Sequence, residues 1–329
     1  MRFTTRSLFV PLFGVLVLGV AACGGSSDNG NGNSPTETEP VVLTPLPDGV
    51  LLPTVISSDL AVGENRFLVG LQDQDTGALE LNATLNLAFY LLDDSPQGTL
   101  KFERDPEAIV IMRSYTHTHE DGLVETHEAG EVGAYRTNVD FDVSGLWGVE
   151  VTGTTADGQA LEPLRPTFNV LEEPFGLAIG DPAPLTEQVL VADVDDIREI
   201  DSSENPIPEQ HDMTVADAVT SGVPSVVAIA TPAFCQTQIC GPTKVFFDDL
   251  YNEYSDVANF VHVEPFHVQA VRDGECAQLF DCRTSIIDEW NLQSEPWVFI
   301  VGADGNIAAK FDGLVTFEEM AEELEELVG

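Results

Sequence analysis

The feature that most limits the fold of this chain is a pair of cysteines, Cys235 and Cys240, at the junction of two patterns. Residues 226–230 before them are apolar, as in a buried central strand. Residues 242–254 after them place their large apolar side chains on one helical face. A thiol at the start of a helix is stabilised as a thiolate by unpaired backbone N–H groups and the helix dipole. The junction is therefore the predicted site of cysteine chemistry.

The beginning of the chain predicts export. Arg2 and Arg6 precede an apolar stretch over residues 8–20, as in a secretory signal peptide. This stretch is short for a membrane span, which needs about 20 apolar residues. It ends in Val20-Ala-Ala-Cys23, which resembles the cleavage motif of bacterial lipoproteins. The resemblance implies a signal peptide over residues 1–22, a lipid on Cys23, and an extracytoplasmic protein anchored to the membrane in the periplasm or at the cell surface.

Composition limits the partners of this chain. Residues 24–48 are mostly Gly, Ser, Asn, Thr and Pro, so residues 23–48 are expected to be a lipidated cysteine and a disordered tether. The net charge is −43, with 56 acidic and 13 basic residues. This charge repels nucleic acid and anionic lipid surfaces. Nucleic acid is therefore excluded as a partner, and the lipid anchor is the expected contact with the membrane.

The remaining cysteines all lie in the last third of the chain: Cys235, Cys240, Cys276 and Cys282. An even set in an exported protein predicts two disulfides. Three pairings are possible, and the short spacings favour 235 with 240 and 276 with 282. The C-x-x-C pairs of structural zinc sites are absent from the sequence, so a zinc cluster is not expected.

The pattern of the chain changes near residue 175, which predicts two folded domains. Every odd position from 79 to 91 is apolar, and this period of two is typical of a half-buried strand. The alternation returns at 135–143 and 147–151, with turn sequences between the runs. Residues 49–172 therefore predict an all-β sandwich of immunoglobulin-like type.

The C-terminal part mixes strand and helix periods. Residues 173–186 contain three prolines and predict a linker and entry segment. Residues 187–329 follow as the second domain, and its last helix begins at a capping box formed by Thr316 and Glu319. The six glutamates of that helix are expected on a solvated face.

Over residues 178–329, the order of strands, helices and cysteine loop resembles a thioredoxin fold, an α/β architecture. The run from Cys240 to Thr243 resembles the family's Cys-Gly-Pro-Cys active site, with threonine at the second cysteine. Pro296, in Glu-Pro-Trp, stands where the family has a cis-proline beside the active site. The resemblance implies thiol–disulfide exchange, with protein thiols or disulfides as partners.

Thr243 removes the usual second cysteine, so Cys235 must take part instead. Cys240, at the helix start, is the expected nucleophile, and Cys235 is its expected partner. Residues five apart in one regular helix lie about 140° apart and cannot be bridged. The loop between the two cysteines is therefore not expected to be one regular helix.

Two further resemblances concern the same loop. Thr231-Pro232 followed by Cys235 and Cys240 is similar to bacterioferritin comigratory-type peroxiredoxins, with one residue inserted. The family's activating arginine is not evident near residues 295–296, so peroxidase activity ranks below exchange. The loop also resembles thioredoxin-like copper chaperones of respiratory oxidases, which use a shorter C-x3-C spacing and a distant histidine.

The remaining alternatives concern histidines and the loss of redox activity. His262 and His267 are the downstream candidates for a copper ligand, but a strand histidine is more often packed or solvated. His117, His119 and His127 lie on one predicted hairpin, and three imidazoles would suit copper or zinc. Histidines are common on protein surfaces, so an exposed polar hairpin without a metal is the favoured interpretation. The sequence therefore predicts no metal and no cofactor. A redox-inactive surface binding module with structural disulfides stays open as the second hypothesis.

Overall fold

The computed structural model describes residues 49–93, 95–119 and 123–329. The predicted signal peptide, the lipidated Cys23 and the tether lie outside these residues. In the part of the chain that is described, none of the helices has both the length and the apolar character needed to span a membrane.

The described residues up to 172 are dominated by β strands. They form β1 (Leu51–Val55), β2 (Gly63–Asp73), β3 (Thr84–Leu91), β4 (Thr99–Arg104), β5 (Glu107–Thr118), β6 (Val124–Phe141), β7 (Gly145–Thr154) and β8 (Thr167–Val170). One antiparallel sheet has the order β1-β2-β6-β5, and the other has the order β4-β3-β7-β8. Strand β5 therefore lies at the edge of its sheet.

These two sheets, called the sandwich below, face each other over one apolar core. In β3, Leu85, Leu87 and Phe89 are buried while Asn86 is partly exposed, as the predicted period of two requires, but Ala88 is buried as well and the strand begins only at Thr84. The rings of Phe89 and Phe67, from opposite sheets, meet edge to face with centroids 5.0 Å apart. Burying one such side chain stabilises a fold by about 1.5–3 kcal/mol, so the core holds the sandwich together without a disulfide.

The third sheet belongs to the C-terminal region, residues 187–329. Its strands are β9 (Ser225–Ile229), β10 (Asn259–Val263), β11 (Trp297–Val301) and β12 (Ile307–Asp312), in the order β10-β9-β11-β12. The helices of this region are α1 (Val215–Thr220), α2 (Cys240–Tyr254), α3 (Val268–Arg272), α4 (Ser285–Glu289) and α5 (Phe317–Val328). Strand β10 is parallel to β9, and β11 is antiparallel to both β9 and β12. The described chain is thus β-rich, with three four-stranded sheets.

Both faces of the third sheet are covered, which explains why every residue of β9 and β11 is buried. Val227 belongs to an apolar cluster with Trp290 on one face, and Val226 belongs to a cluster with Phe247 of α2 on the other. Strand β9 therefore runs through the middle of the region and places the loop after it at the start of α2.

The described residues fall within one compact unit, and a buried ion cluster joins the sandwich to α5. Glu319 accepts hydrogen bonds from Arg66 Nε at 2.7 Å and Nη2 at 2.9 Å, and it lies 2.8 Å from Nε of Arg136. Its carboxylate also completes the predicted capping box, by accepting from the backbone N–H of Thr316 at 3.1 Å. Glu319 was expected on a solvated face, but it is only 5% exposed because two arginines of the sandwich reach it.

We expect Glu319→Ala to lower the free energy of unfolding by about 3 kcal/mol, because it leaves the largely buried Arg66 without its acidic partner and Arg136 with Glu107 alone. Glu322→Ala is the matched control, since Glu322 is exposed on the same helix. Urea unfolding of both variants measures the difference. Equal stabilities would contradict the role given to Glu319.

Candidate functional site

The predicted cysteine site forms a disulfide at the beginning of α2. Cys235 is bonded to Cys240, with Cα atoms 6.0 Å apart, and Cys276 is bonded to Cys282, with Cα atoms 5.7 Å apart. The prediction of disulfides and the favoured pairing are confirmed. Cys240 is the first residue of α2, and its backbone N–H donates to Sγ of Cys235 at 3.3 Å. The residues between the two cysteines form an irregular loop, as the geometry of a bridge requires.

The two sulfur-bearing residues differ in exposure. Cys240 is completely buried, whereas Cys235 is partly exposed. The hydroxyl of Thr237 lies 3.2 Å from Sγ of Cys235. A large reactant approaching from solvent therefore meets Cys235 first.

Edge strand β5 of the sandwich covers the Cys240 side of this loop. The backbone N–H of Ser114 donates to the carbonyl oxygen of Gln238 at 3.1 Å. Gly241, the second residue of α2, lies so close to β5 that a Cβ atom there would overlap Oγ of Ser114. The helix can approach the strand this closely because residue 241 has no side chain.

A β-bulge lies beside this contact. Arg113 of β5 faces two residues of β6, Ala129 and Gly130, and Gly130 has a left-handed φ of 83°. The guanidinium of Arg113 donates to the carbonyl oxygen of Ala129 at 3.1 Å. Because a bulge bends the strand with the extra residue and increases the local twist, this bulge bends β6 and twists the β5–β6 pair next to Ser114.

Apolar contacts and Pro296 complete the other side of the loop. Ile239 packs against the cluster of buried Leu68, Ile109, Ile111, Ala134 and Leu314. Its Cδ1 lies beside Gly313, 3.8 Å from the place that a Cβ atom of residue 313 would occupy. The backbone N–H of Gly313 donates to the carbonyl oxygen of Pro296 at 3.0 Å. The Glu295–Pro296 peptide bond is cis and directly precedes β11. The structure thus brings Pro296 to the neighbourhood of the cysteine loop.

A buried polar chain runs beneath the first half of the loop. The backbone N–H of Ala233 donates to Oγ of Ser202 at 3.1 Å. The backbone N–H of Ser202 in turn donates to Oε1 of Glu264 at 2.8 Å. Glu264 follows β10 and is buried, so this chain connects the loop to the end of that strand.

Asp201, His211 and His262 form a buried cluster next to this chain. Oδ2 of Asp201 lies 3.0 Å from Nε2 of His211 and 3.2 Å from Nδ1 of His262. The other ring nitrogen of His262 donates to the carbonyl oxygen of Ala230 at 3.0 Å. The remaining oxygen of Asp201 accepts from the N–H and hydroxyl of Ser203, at 2.8 and 2.6 Å.

Charges in this cluster follow from burial and pairing. Burial opposes ionisation of Asp201, but the charge of His262 and the hydrogen bonds from both histidines outweigh it and hold the pKa of Asp201 well below its usual value. Burial also works against a charged His262, yet Asp201 raises its pKa. Burial lowers the pKa of His211. Burial raises the pKa of Glu264 to about 7.

The histidines predicted to meet on a hairpin do so at the end of β5 and the beginning of β6. His119 Nε2 lies 2.8 Å from Oε2 of Glu125, and His127 Nε2 lies 3.8 Å from the same oxygen. The rings of His117 and His127 stack in nearly parallel planes with centroids 4.9 Å apart. These side chains are partly exposed to solvent. The hydrogen bond from His119 lowers the pKa of Glu125.

Two other predicted residues lie next to these groups. Thr231 is buried at the start of the loop, and His267 is exposed before α3. Sequence reasoning missed Ser114, Asp201 and His211. Asp201 and His211 lie in a stretch with only short 3-10 turns, so no strand or helix period marks them.

The comparisons with known proteins do not assign this chain to a family. No protein-family model matches the chain, and no curated protein matches it. Among solved structures, a cohesin module from a Clostridium perfringens ATCC13124 family 33 glycoside hydrolase is similar at 18% identity, over 38% of this chain and 99% of the module, with a TM-score of 0.20. So low a TM-score assigns neither a fold nor a function.

We expect a double-mutant cycle to detect the contact between Gly241 and Ser114. Gly241→Ala adds a methyl group that must displace Oγ of Ser114, whereas Ser114→Ala removes that oxygen. Gly241→Ala also raises the helix propensity of residue 241 by about 1 kcal/mol. This gain is the same with serine and with alanine at position 114, so it cancels from the coupling energy. The methyl group should cost about 1 kcal/mol more when Ser114 is present, as measured by urea unfolding. A coupling energy of zero would show that α2 and β5 do not touch.

Proposed function

We propose that this protein is a membrane-anchored, extracytoplasmic thiol–disulfide oxidoreductase that uses Cys235 and Cys240. The observation that carries the proposal is a disulfide at the start of a long helix, with one sulfur-bearing residue buried and the other within reach of solvent. The membrane anchor rests on the sequence motif that ends at Cys23.

The fold assignments in this proposal are a thioredoxin-like domain over residues 187–329 and an immunoglobulin-like sandwich before it. The order β10-β9-β11-β12 and its strand directions support the first. Two antiparallel sheets around one core support the second.

In the proposed reaction, the reduced form reduces a disulfide of a partner protein. The thiolate of Cys235 attacks one sulfur of that disulfide, and the partner's other sulfur leaves as a thiolate and takes up a proton. The thiolate of Cys240 then attacks Sγ of Cys235, which releases the second sulfur of the partner. Two electrons pass to the partner, and the Cys235–Cys240 bond forms. The reverse sequence oxidises a dithiol.

The roles of the two cysteines follow from their exposure. The sequence assigned the attacking role to Cys240 because of its place at the helix start. The complete burial of Cys240, next to the contact between Gly241 and β5, instead favours Cys235 as the residue that meets the partner and Cys240 as the residue that resolves the mixed disulfide. The helix N-terminus then stabilises Cys240 as the leaving thiolate when the disulfide opens.

Copper-chaperone activity at this loop is less well supported. Its histidine candidate, His262, directs one ring nitrogen to Asp201 and the other to the carbonyl oxygen of Ala230. Both nitrogens are therefore engaged away from the cysteines. Peroxidase activity remains the lower-ranked alternative that the loop sequence indicates.

We expect Cys240→Ser to trap a mixed disulfide at Cys235, because the resolving thiol is gone while the exposed thiol remains. The full chain in detergent is mixed with a peptide disulfide, and mass spectrometry of its digest quantifies the adduct. Cys235→Ser is the matched control, and its adduct at Cys240 should form roughly tenfold more slowly, since exchange depends on access to the thiol. Equal rates, or adduct at neither cysteine, would contradict the assigned roles.

A redox-inactive binding module is the second candidate, and the cover that β5 places over Cys240 is the observation that favours it. The reduction potential of the Cys235–Cys240 pair separates the two functions. Equilibration with thiol buffers should give a value above about −300 mV for an exchanging pair. A value below this limit would mean that the disulfide is structural.

A further inference from the structure

The cluster of Asp201, His211 and His262 has the chemistry of a metal site. Two imidazoles and one carboxylate converge, with their candidate ligand atoms all within 4.8 Å of one another. All three residues are buried, with side-chain exposures of 0%, 2% and 0%. Two histidines and a carboxylate are the protein ligands of many zinc and non-haem iron sites.

Two of the three distances between the ligand atoms are those expected around one ion. Bonds of about 2.0–2.2 Å to a four- or six-coordinate metal place neighbouring ligand atoms roughly 3.0–3.5 Å apart. The two distances from Asp201 Oδ2, 3.0 Å to His211 and 3.2 Å to His262, lie in this range. The two rings are inclined at 69° with centroids 5.3 Å apart, so they do not stack and can approach one ion from different directions.

The hydrogen bonds of His262 provide a second, independent argument. A backbone carbonyl oxygen can only accept, so Nε2 of His262, 3.0 Å from the carbonyl oxygen of Ala230, must carry a hydrogen. Nδ1, which faces Asp201, is then the coordinating nitrogen, and an ion that binds there takes the place of the proton shared with Asp201. A metal-binding histidine characteristically donates its other N–H to a backbone carbonyl or carboxylate, which fixes its tautomer and orientation. His262 is held in this way before any ion binds.

A cavity borders the cluster. It has a volume of about 270 Å³ and is lined by His211, His262 and Glu264, so two of the three ligand residues form part of its wall. Glu187 and Glu199 line the same cavity, and the whole chain carries a net charge of −43. Negative charge around an opening raises the local concentration of cations.

We infer that Asp201, His211 and His262 bind one divalent first-row transition-metal ion, of which Zn²⁺ is the representative. The site is distinct from the disulfide, and no cysteine contributes to it. The histidines of the β5–β6 hairpin form a less constrained alternative, because they are solvent-exposed and two of their rings lie parallel.

The test uses the full chain in detergent, with both disulfides intact, and equilibrium dialysis against Zn²⁺. We expect one tightly bound ion per chain and a rise in the unfolding temperature on binding. Asp201→Asn keeps the shape of the side chain but removes its charge, and should weaken binding by at least about 10-fold. The matched control, His117→Ala with His127→Ala, should bind the ion as the wild type does.

Two results would overturn the inference: no tight Zn²⁺ binding by the wild type, or wild-type affinity in a folded Asp201→Asn variant. Loss of binding in the His117/His127 control would assign the ion to the hairpin instead. If Asp201→Asn does not fold, anomalous diffraction at the zinc edge from wild-type crystals grown with Zn²⁺ decides. A peak between Asp201, His211 and His262 supports the site, and no peak there refutes it.

Discussion

The contact between edge strand β5 and the cysteine loop determines how this protein can act. An edge strand offers unpaired N–H and C=O groups, and an irregular loop does the same. Here the N–H of Ser114 and the carbonyl oxygen of Gln238 satisfy each other, while Gly241 lets the helix start lie against the strand. Cys240 lies between Gln238 and Gly241 in the chain and is buried, whereas Cys235 is partly exposed. The chemistry proposed for the loop depends on this asymmetry.

Polar bonds elsewhere hold the sandwich in the position that the contact requires. Glu319 of α5 forms ion pairs with Arg66 and Arg136 of the sandwich. Lys310 of β12 forms a second ion pair, with Asp59, at 2.9 Å. Ser58 donates to Asp312 at 3.0 Å nearby. These bonds lie between residues far apart in the chain, and several are buried or partly buried, where charge-assisted hydrogen bonds are strong. They make it unfavourable for β5 to move away from the loop.

Local patterns predicted much of this architecture, and distant contacts account for what they missed. The period of two marked β3, the capping box marked the start of α5, and the spacing of the cysteines indicated the two disulfides. Glu319 looked like one glutamate among six, because its partner Arg66 is 253 residues away. Asp201 and His211 gave no signal for the same reason: only the folded chain brings them to His262. No periodicity could indicate that a sandwich strand covers Cys240.

Amide hydrogen exchange at Ser114 in the oxidised protein tests the central claim most directly. If β5 covers the loop, this amide is hydrogen-bonded to Gln238 and should be as strongly protected as the amides paired between β5 and β6. Exchange at the rate of a free edge-strand amide would contradict the account, because Cys240 would then not be shielded by the sandwich.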